Sequence, residues 1–81
     1  MAGYRVQLAA LRAPDIAEIE WNRLRSKEAA LRDLPHQITQ ADLGERGIYY
    51  RLQVGRFDTI SEAKELCSDL GSRNINCIVV R

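Results

Sequence analysis

Two segments of this chain carry the same alternating order of polar and apolar residues, and their polar members are arginine and glutamine. The first segment, YRVQLAAL, begins at Tyr4, and the second, YYRLQVGRF, begins at Tyr49. A glutamine amide both donates and accepts hydrogen bonds, and an arginine guanidinium pairs with a carboxylate through two parallel hydrogen bonds. Residues of these types, spaced evenly along a strand, favour the binding of a polar and partly anionic ligand.

The two segments belong to an internal repeat with an offset of 46 residues. Residues 4–24 align with residues 50–70, and each copy reads as a strand, a turn and a helix, so the repeat predicts two similar halves. The aligned positions with identical residues are Tyr4/Tyr50, Arg5/Arg51, Gln7/Gln53, Ala17/Ala63 and Leu24/Leu70.

Alternation of apolar and polar residues predicts four strands, and helical spacing predicts two helices. The first helix is expected to begin at Pro14 and to end at Leu34-Pro35. Thr59 and Glu62 have the spacing of a capping box for the second helix, and Gly71 suits the position just past its end. The strands are expected at Tyr4–Ala9, His36–Ala41, Ile48–Val54 and Asn76–Val80. The apolar helix faces are expected to comprise Ala17, Trp21, Leu24 and Leu31, then Ala63, Leu66, Cys67 and Leu70.

The resulting order, β-α-β-β-α-β, favours an α+β ferredoxin-like or RNP-like fold, in which a four-stranded antiparallel sheet has both helices on one face. The first and third strands of that fold lie side by side at the centre, so the repeated segments are expected to be neighbours. Because successive strand side chains point to opposite faces, Val6, Leu8, Tyr50, Leu52 and Val54 should face the helices. The opposite face is expected to carry Arg5, Gln7, Tyr49, Arg51, Gln53 and Ile78.

The residue pattern leaves two interpretations of that uncovered face open. Antiparallel sheets often expose one polar side to water, and this face is then simply solvated. Alternatively it is a shallow, elongated binding platform, in which glutamine and arginine make polar contacts while Tyr49 and Ile78 supply apolar surface.

Composition excludes several classes of function. The 81 residues suffice for one domain, expected at residues 4–81, with residues 1–3 a cloning remnant or the end of a linker. A net charge of +1 argues against a nucleic-acid-binding surface. His36 is the single histidine and no motif supplies a catalytic nucleophile, so we expect no metal site, no cofactor and no catalysis. The N-terminal residues MAGYRVQ lack the apolar stretch of a signal peptide, and no run of 18 apolar residues occurs.

Cys67 and Cys77 are the two cysteines of the chain. The first lies on the predicted inner face of the second helix and the second on the inner face of the last strand, so the two should be close. They form either a disulfide, in an oxidising compartment, or a pair of small buried thiols.

Taken together, YRVQLAAL, YYRLQVGRF and EAKELCSDLGSRNINCIVVR resemble the SPOR domain (sporulation-related repeat) over the range Tyr4–Arg81. The resemblance implies a peptidoglycan-binding module that recognises glycan strands whose stem peptides have been removed. It further implies location in the periplasm or cell envelope, as a monomeric domain of a secreted parent protein or of one that an anchor outside this chain holds at the membrane. Positions that the resemblance implies for binding are Gln7, Ala10, Tyr49, Arg51 and Ile78. Arg5 and Gln53, on the same face, complete the predicted site.

This chain departs from the family pattern at two places. Ala9-Ala10-Leu11 stands where the family has a glycine, a small residue and phenylalanine, and Arg56 stands where proline is usual.

Two other functions fit the same fold. One is single-stranded RNA binding of the RRM type, which uses aromatic residues on the central strands, where this chain has glutamine and arginine. The other is a small protein-interaction domain.

Overall fold

A four-stranded antiparallel sheet and two helices account for most of the chain in this computed structural model, which describes residues 3–81. Residues 1 and 2, which belong to the expected cloning remnant or linker end, lie outside the described residues. In chain order the elements are β1 (Tyr4–Leu11), α1 (Pro14–Lys27), β2 (His36–Asp42), β3 (Ile48–Phe57), α2 (Ile60–Gly71) and β4 (Ile78–Val80), with 3-10 turns at Ala29–Leu31 and Gly44–Arg46.

The strand order across the sheet is β2-β3-β1-β4, and every neighbouring pair is antiparallel. The two repeated segments, on β1 and β3, are therefore adjacent at the centre of the sheet, and Gln7 pairs with Gln53. The predicted α+β architecture, with its β-α-β-β-α-β order, is confirmed.

One hydrophobic core lies between the sheet and both helices. Val6 of β1 and Leu52 and Val54 of β3 are completely buried. Each fully buried side chain of this size contributes roughly 1.5–3 kcal/mol relative to an exposed one. Residues from elsewhere in the chain join the same cluster: Trp21 and Leu24 of α1, Ala63 and Leu70 of α2, Leu31 and Ile75. Because both helices contribute to one cluster, they cover the same face of the sheet and leave the other open.

Helix α1 is shorter than predicted. It begins at Pro14 as expected but ends at Lys27, because Glu28 takes an extended conformation with φ −115° and ψ 112°. Glu28 is only 4% exposed, and its carboxylate accepts a hydrogen bond of 3.0 Å from Arg73 Nη1. The break turns the chain back toward the sheet, and the following 3-10 turn carries Leu31 into the core. The predicted helix end at Leu34-Pro35 was therefore wrong, although Leu31 is buried as expected.

The pairing of β1 with β3 contains two irregularities that period-two alternation did not predict. Between Gln7 and Ala9, β1 has one residue more than β3, and between Val54 and Phe57, β3 has one residue more than β1. The second bulge contains Gly55, whose φ is 82°. An extra residue reverses the alternation beyond it. Strand β3 continues through this bulge to Phe57, so it is longer than the predicted Ile48–Val54.

Helix α2 begins with the predicted capping box. The Glu62 amide donates to Thr59 Oγ1 and the Thr59 amide to Glu62 Oε1, each at 3.2 Å. Such a cap stabilises a helix by about 1 kcal/mol. The helix includes Gly71 as its last residue rather than ending before it. A disulfide joins Cys67 of α2 to Cys77, which precedes β4.

Candidate functional site

The open face of the sheet carries all seven predicted site residues, and the strand registers arrange them in rows that cross the strands. We call this surface the platform. Its members are Arg5, Gln7 and Ala10 of β1, Tyr49, Arg51 and Gln53 of β3, Ile78 of β4, and two residues of β2 that the sequence analysis did not assign, Gln37 and Thr39.

Three glutamines from three strands form the first row. Gln37 pairs with Gln53, and Gln53 pairs with Gln7, so their side chains lie next to one another. Gln37 Nε2 donates to Gln53 Oε1 at 3.5 Å, and Gln53 Nε2 donates to Gln7 Oε1 at 3.3 Å. Gln7 uses its oxygen as an acceptor within the row, and its amide nitrogen can donate to a ligand.

Ile78 extends the glutamine row onto β4, where it pairs with Gln7. Its side chain is 57% exposed, which is unusual for an isoleucine in a strand with half-buried neighbours on both sides. The inner neighbours, Cys77 and Val79, pack against the core. Ile78 therefore supplies an apolar contact directly beside the polar end of the row.

The second row is centred on Arg51, which lies two residues before Gln53 on β3 and on the same face of the sheet. It pairs with Thr39 on one side and with Ala10 on the other. Strict alternation from Gln7 would turn Ala10 toward the helices, but the bulge after Gln7 brings it onto the platform. With only a methyl group at Ala10, the guanidinium of Arg51 has no bulky neighbour on the β1 side.

Tyr49 lies at the far end of the platform and is held by Arg12, which follows β1. The Arg12 guanidinium carbon lies 4.7 Å from the centre of the Tyr49 ring, and Arg12 Nη1 donates to the Tyr49 hydroxyl at 3.1 Å. Sequence reasoning missed Arg12, because its position in the turn after β1 gives no periodic signal. The contact orients the ring and places a second cation at this end of the platform.

Not all predicted residues are equally accessible. Gln53 is only 7% exposed because Gln37 and Gln7 flank it, whereas Ala10 is exposed and Arg5, Gln7, Tyr49 and Arg51 are half-buried. Gln53 therefore orients its neighbours more than it offers contact area.

Trp21 is a core residue as expected, since it is 3% exposed and stacks on His36 with ring centres 4.7 Å apart.

The charged side chains of the platform are Arg5 and Arg51. On the surface of α1, the hydrogen bond from Arg23 holds the pKa of the Glu20 carboxyl below its ordinary value. Within residues 3–81 no group of three or more metal-ligating side chains occurs, and no helix there is long and apolar enough to span a membrane.

Comparison with known proteins identifies the fold and the family of this chain. The crystal structure of the RlpA SPOR domain from Pseudomonas aeruginosa superimposes with a TM-score of 0.68 at 22% sequence identity, covering 98% of this chain and 99% of that one, so the two share a fold. No curated protein sequence matches the chain significantly. The sequence profile of the SPOR domain, a peptidoglycan-binding module of cell-envelope proteins, matches residues 1–81. The chain therefore belongs to the SPOR domain family.

Proposed function

We propose that this SPOR domain is a non-catalytic module that binds glycan strands lacking their stem peptides and thereby directs a larger envelope protein to the division septum. The observation that carries the proposal is the hydrogen-bonded row of Gln37, Gln53 and Gln7 beside Arg51, on the face that the helices leave open. This row presents fixed polar groups at regular strand spacing, which suits a polymer with a regular repeat.

Charge gives the reason for selecting bare strands. Removal of a stem peptide leaves the lactyl carboxylate of each N-acetylmuramic acid free, so the bare strand is a polyanion with regularly spaced charges. Arg51 can pair with one such carboxylate through two parallel hydrogen bonds. In an intact strand the same carboxyl group is an amide without charge, and this attraction is lost.

Shape adds to the selectivity. Gln7 and Arg51 are half-buried and Gln53 is buried, so a sugar chain must approach the sheet closely to reach Arg51. A stem peptide on the side of the strand that faces the protein would keep the sugars away from the sheet. Discrimination against peptide-bearing strands therefore combines a lost attraction with a steric obstacle.

Apolar contacts complete the proposed site. Ile78 ends the glutamine row and Tyr49 lies beyond the arginine row, so they can cover the apolar faces of different sugars. Tyr49 is oriented by Arg12 before any ligand binds, which lowers the ordering cost of binding. Gln7, beside Ile78, is placed to donate to an N-acetyl or hydroxyl oxygen.

The direct test is co-sedimentation of the 81-residue chain with purified sacculi. We expect substantially more protein in the pellet after an amidase has removed stem peptides than with untreated sacculi, and no competition by single-stranded RNA. Equal binding to treated and untreated sacculi would contradict the selectivity, and competition by RNA would favour the alternative function of the same fold.

Replacement of Arg51 tests the role of charge. A hydrogen-bonded pair with a charged group contributes about 1.5–3 kcal/mol, so Arg51→Ala should weaken binding to soluble bare glycan by roughly tenfold or more. Arg25→Ala is the matched control, because Arg25 is an exposed arginine in the last turn of α1, on the other side of the sheet. Unchanged affinity of the Arg51 variant by calorimetry would remove this residue from the mechanism.

A further inference from the structure

A cavity of about 540 Å³ opens at the corner of the sheet where β1 begins and β3 ends. Its wall includes Gln37 and Gln53, so it is continuous with the glutamine row of the platform. The basic residues that line it are Arg5, Arg56 and Arg81, and Asp58 is the acidic residue among them. A concave wall with three guanidinium groups and one carboxylate has an excess of positive charge.

None of the three arginines forms an ion pair with an Asp or Glu side chain within residues 3–81. Arg5 Nη2 donates to the main-chain oxygen of Arg81 at 3.2 Å, while Arg5 Nε is buried and has no acceptor among the described residues. Buried donors in proteins are nearly always paired. The corner therefore has donor capacity that the protein itself does not use.

The bulge at Gly55 is what brings Arg56 to this cavity. Strict alternation from Gln53 on the open face would turn Arg56 toward the helices. The extra residue of β3 reverses the alternation, so that Phe57 packs against the core and Arg56 lines the cavity beside Arg5. Gly55 supplies the positive φ of 82° that the bulge requires, and the Phe57 ring occupies the space where a Cβ would project.

We propose that this cavity is a second binding subsite, which takes the free carboxylate of a further sugar of the same glycan strand. The proposal rests on the proposed function and deepens it. The strand lies across Arg51 and the glutamine row, and its next acidic sugar enters the cavity, where Arg5 and Arg56 bind the carboxylate. Binding therefore requires at least two bare acidic sugars for full affinity, which makes short or partly stripped strands poorer ligands.

Variants at the cavity test this subsite by calorimetry with soluble bare glycan. We expect Arg56→Gln to lower affinity by roughly three- to tenfold and Asp58→Asn, which removes the opposing charge, to raise it. Arg25→Gln should have less than a twofold effect. Unchanged affinity of both cavity variants, with wild-type binding intact, would overturn the subsite and leave the platform unaffected. Absence of wild-type binding to bare glycan would instead overturn the proposed function itself.

Single sugars locate the subsite independently of strand binding. In amide NMR titrations, N-acetylmuramic acid should shift the signals of Gln37, Gly55 and Arg56, and the shifts should disappear in Arg56→Gln. N-acetylglucosamine, which lacks the carboxylate, and acetate, which lacks the sugar, should cause much smaller shifts. Equal shifts with acetate or N-acetylglucosamine, or shifts confined to the neighbourhood of Arg51, would overturn the proposal.

Discussion

Among single residues, Gln53 is the most buried member of the platform, and it is hydrogen-bonded to a glutamine on either side. Its amide joins Gln37 on β2 to Gln7 on β1, and only 7% of the residue is exposed. A partly buried amide that both donates and accepts fixes the orientation of the amides on either side. We therefore expect Gln53 to act on a ligand through Gln7 and Gln37, whose side chains are more accessible.

Gln53→Ala tests this positioning role. It removes two hydrogen bonds and leaves the half-buried Gln7 amide without its partner in the row, so the free energy of unfolding should fall by about 1–2 kcal/mol, measured in urea. Affinity for bare glycan should fall as well, because Gln7 is no longer oriented. Gln40→Ala is the matched control, since Gln40 is an exposed glutamine of the edge strand β2. A stability equal to that of the control would mean that the row does not stabilise the sheet.

The sequence predicted which residue types lie on the platform, but not all of its members. Arg5, Gln7, Arg51 and Gln53 follow from alternation within a repeat. Arg12, Gln37 and Thr39 were missed because a turn residue has no period and because β2 has few apolar residues to define its faces. The sequence identifies Arg56 only as a departure from the family pattern, because the bulge that brings it to the cavity does not follow from alternation.

Among the secondary-structure elements, β1 and β3 illustrate what alternation can and cannot predict. Apolar and polar periodicity identified both strands and their central pairing, because burial of one face dictates the pattern. Periodicity does not show whether one strand of a pair contains an extra, unpaired residue, so it does not predict bulges. Similarly, helical spacing placed Leu31 on the apolar face of α1, but could not show that Glu28 leaves the helix to meet Arg73.

Gly55→Ala should disrupt the bulge of β3. A Cβ at this position would overlap the Phe57 ring, and the φ of 82° is unfavourable for alanine. We expect the free energy of unfolding to fall by about 2 kcal/mol or more, measured in urea. Gly71→Ala is the control, because Gly71 ends α2 with open space around it, and this change should be neutral or slightly stabilising. Similar effects of the two substitutions would contradict the argument.

The disulfide between Cys67 and Cys77 ties α2 to the short strand β4. It closes a loop with a sequence separation of 10 residues, for which the loss of loop entropy in the unfolded chain corresponds to about 2–3 kcal/mol. Cys67→Ser with Cys77→Ser should lower the free energy of unfolding by that amount, and a reducing agent should have no effect on the double variant. Equal stability of the wild-type chain with and without reductant would contradict this expectation.

For the molecule as a whole, charge is distributed so that its overall field is weak. The net charge is +1, so long-range attraction of a polyanion contributes little. In the proposed function, the attraction for a bare glycan strand comes instead from Arg5, Arg51 and Arg56, which act over short distances. Selectivity at this scale depends on the fold, since the helices on the opposite face leave these arginines accessible to a long polymer.

This charge distribution predicts how affinity depends on pH. A lactyl carboxylate is expected to have a pKa of about 3.5, and pairing with arginine favours its charged form, so the bound pKa is lower still. Affinity for soluble bare glycan should therefore be constant above about pH 5 and fall as the pH decreases through about 3.5. Circular dichroism at each pH checks that the domain stays folded. Glycan with methyl-esterified carboxyl groups is the matched ligand, and it should bind weakly at pH 7 with little dependence on pH. If the ester bound as tightly as the free acid, charge recognition by the platform would be refuted, and shape alone would have to account for binding.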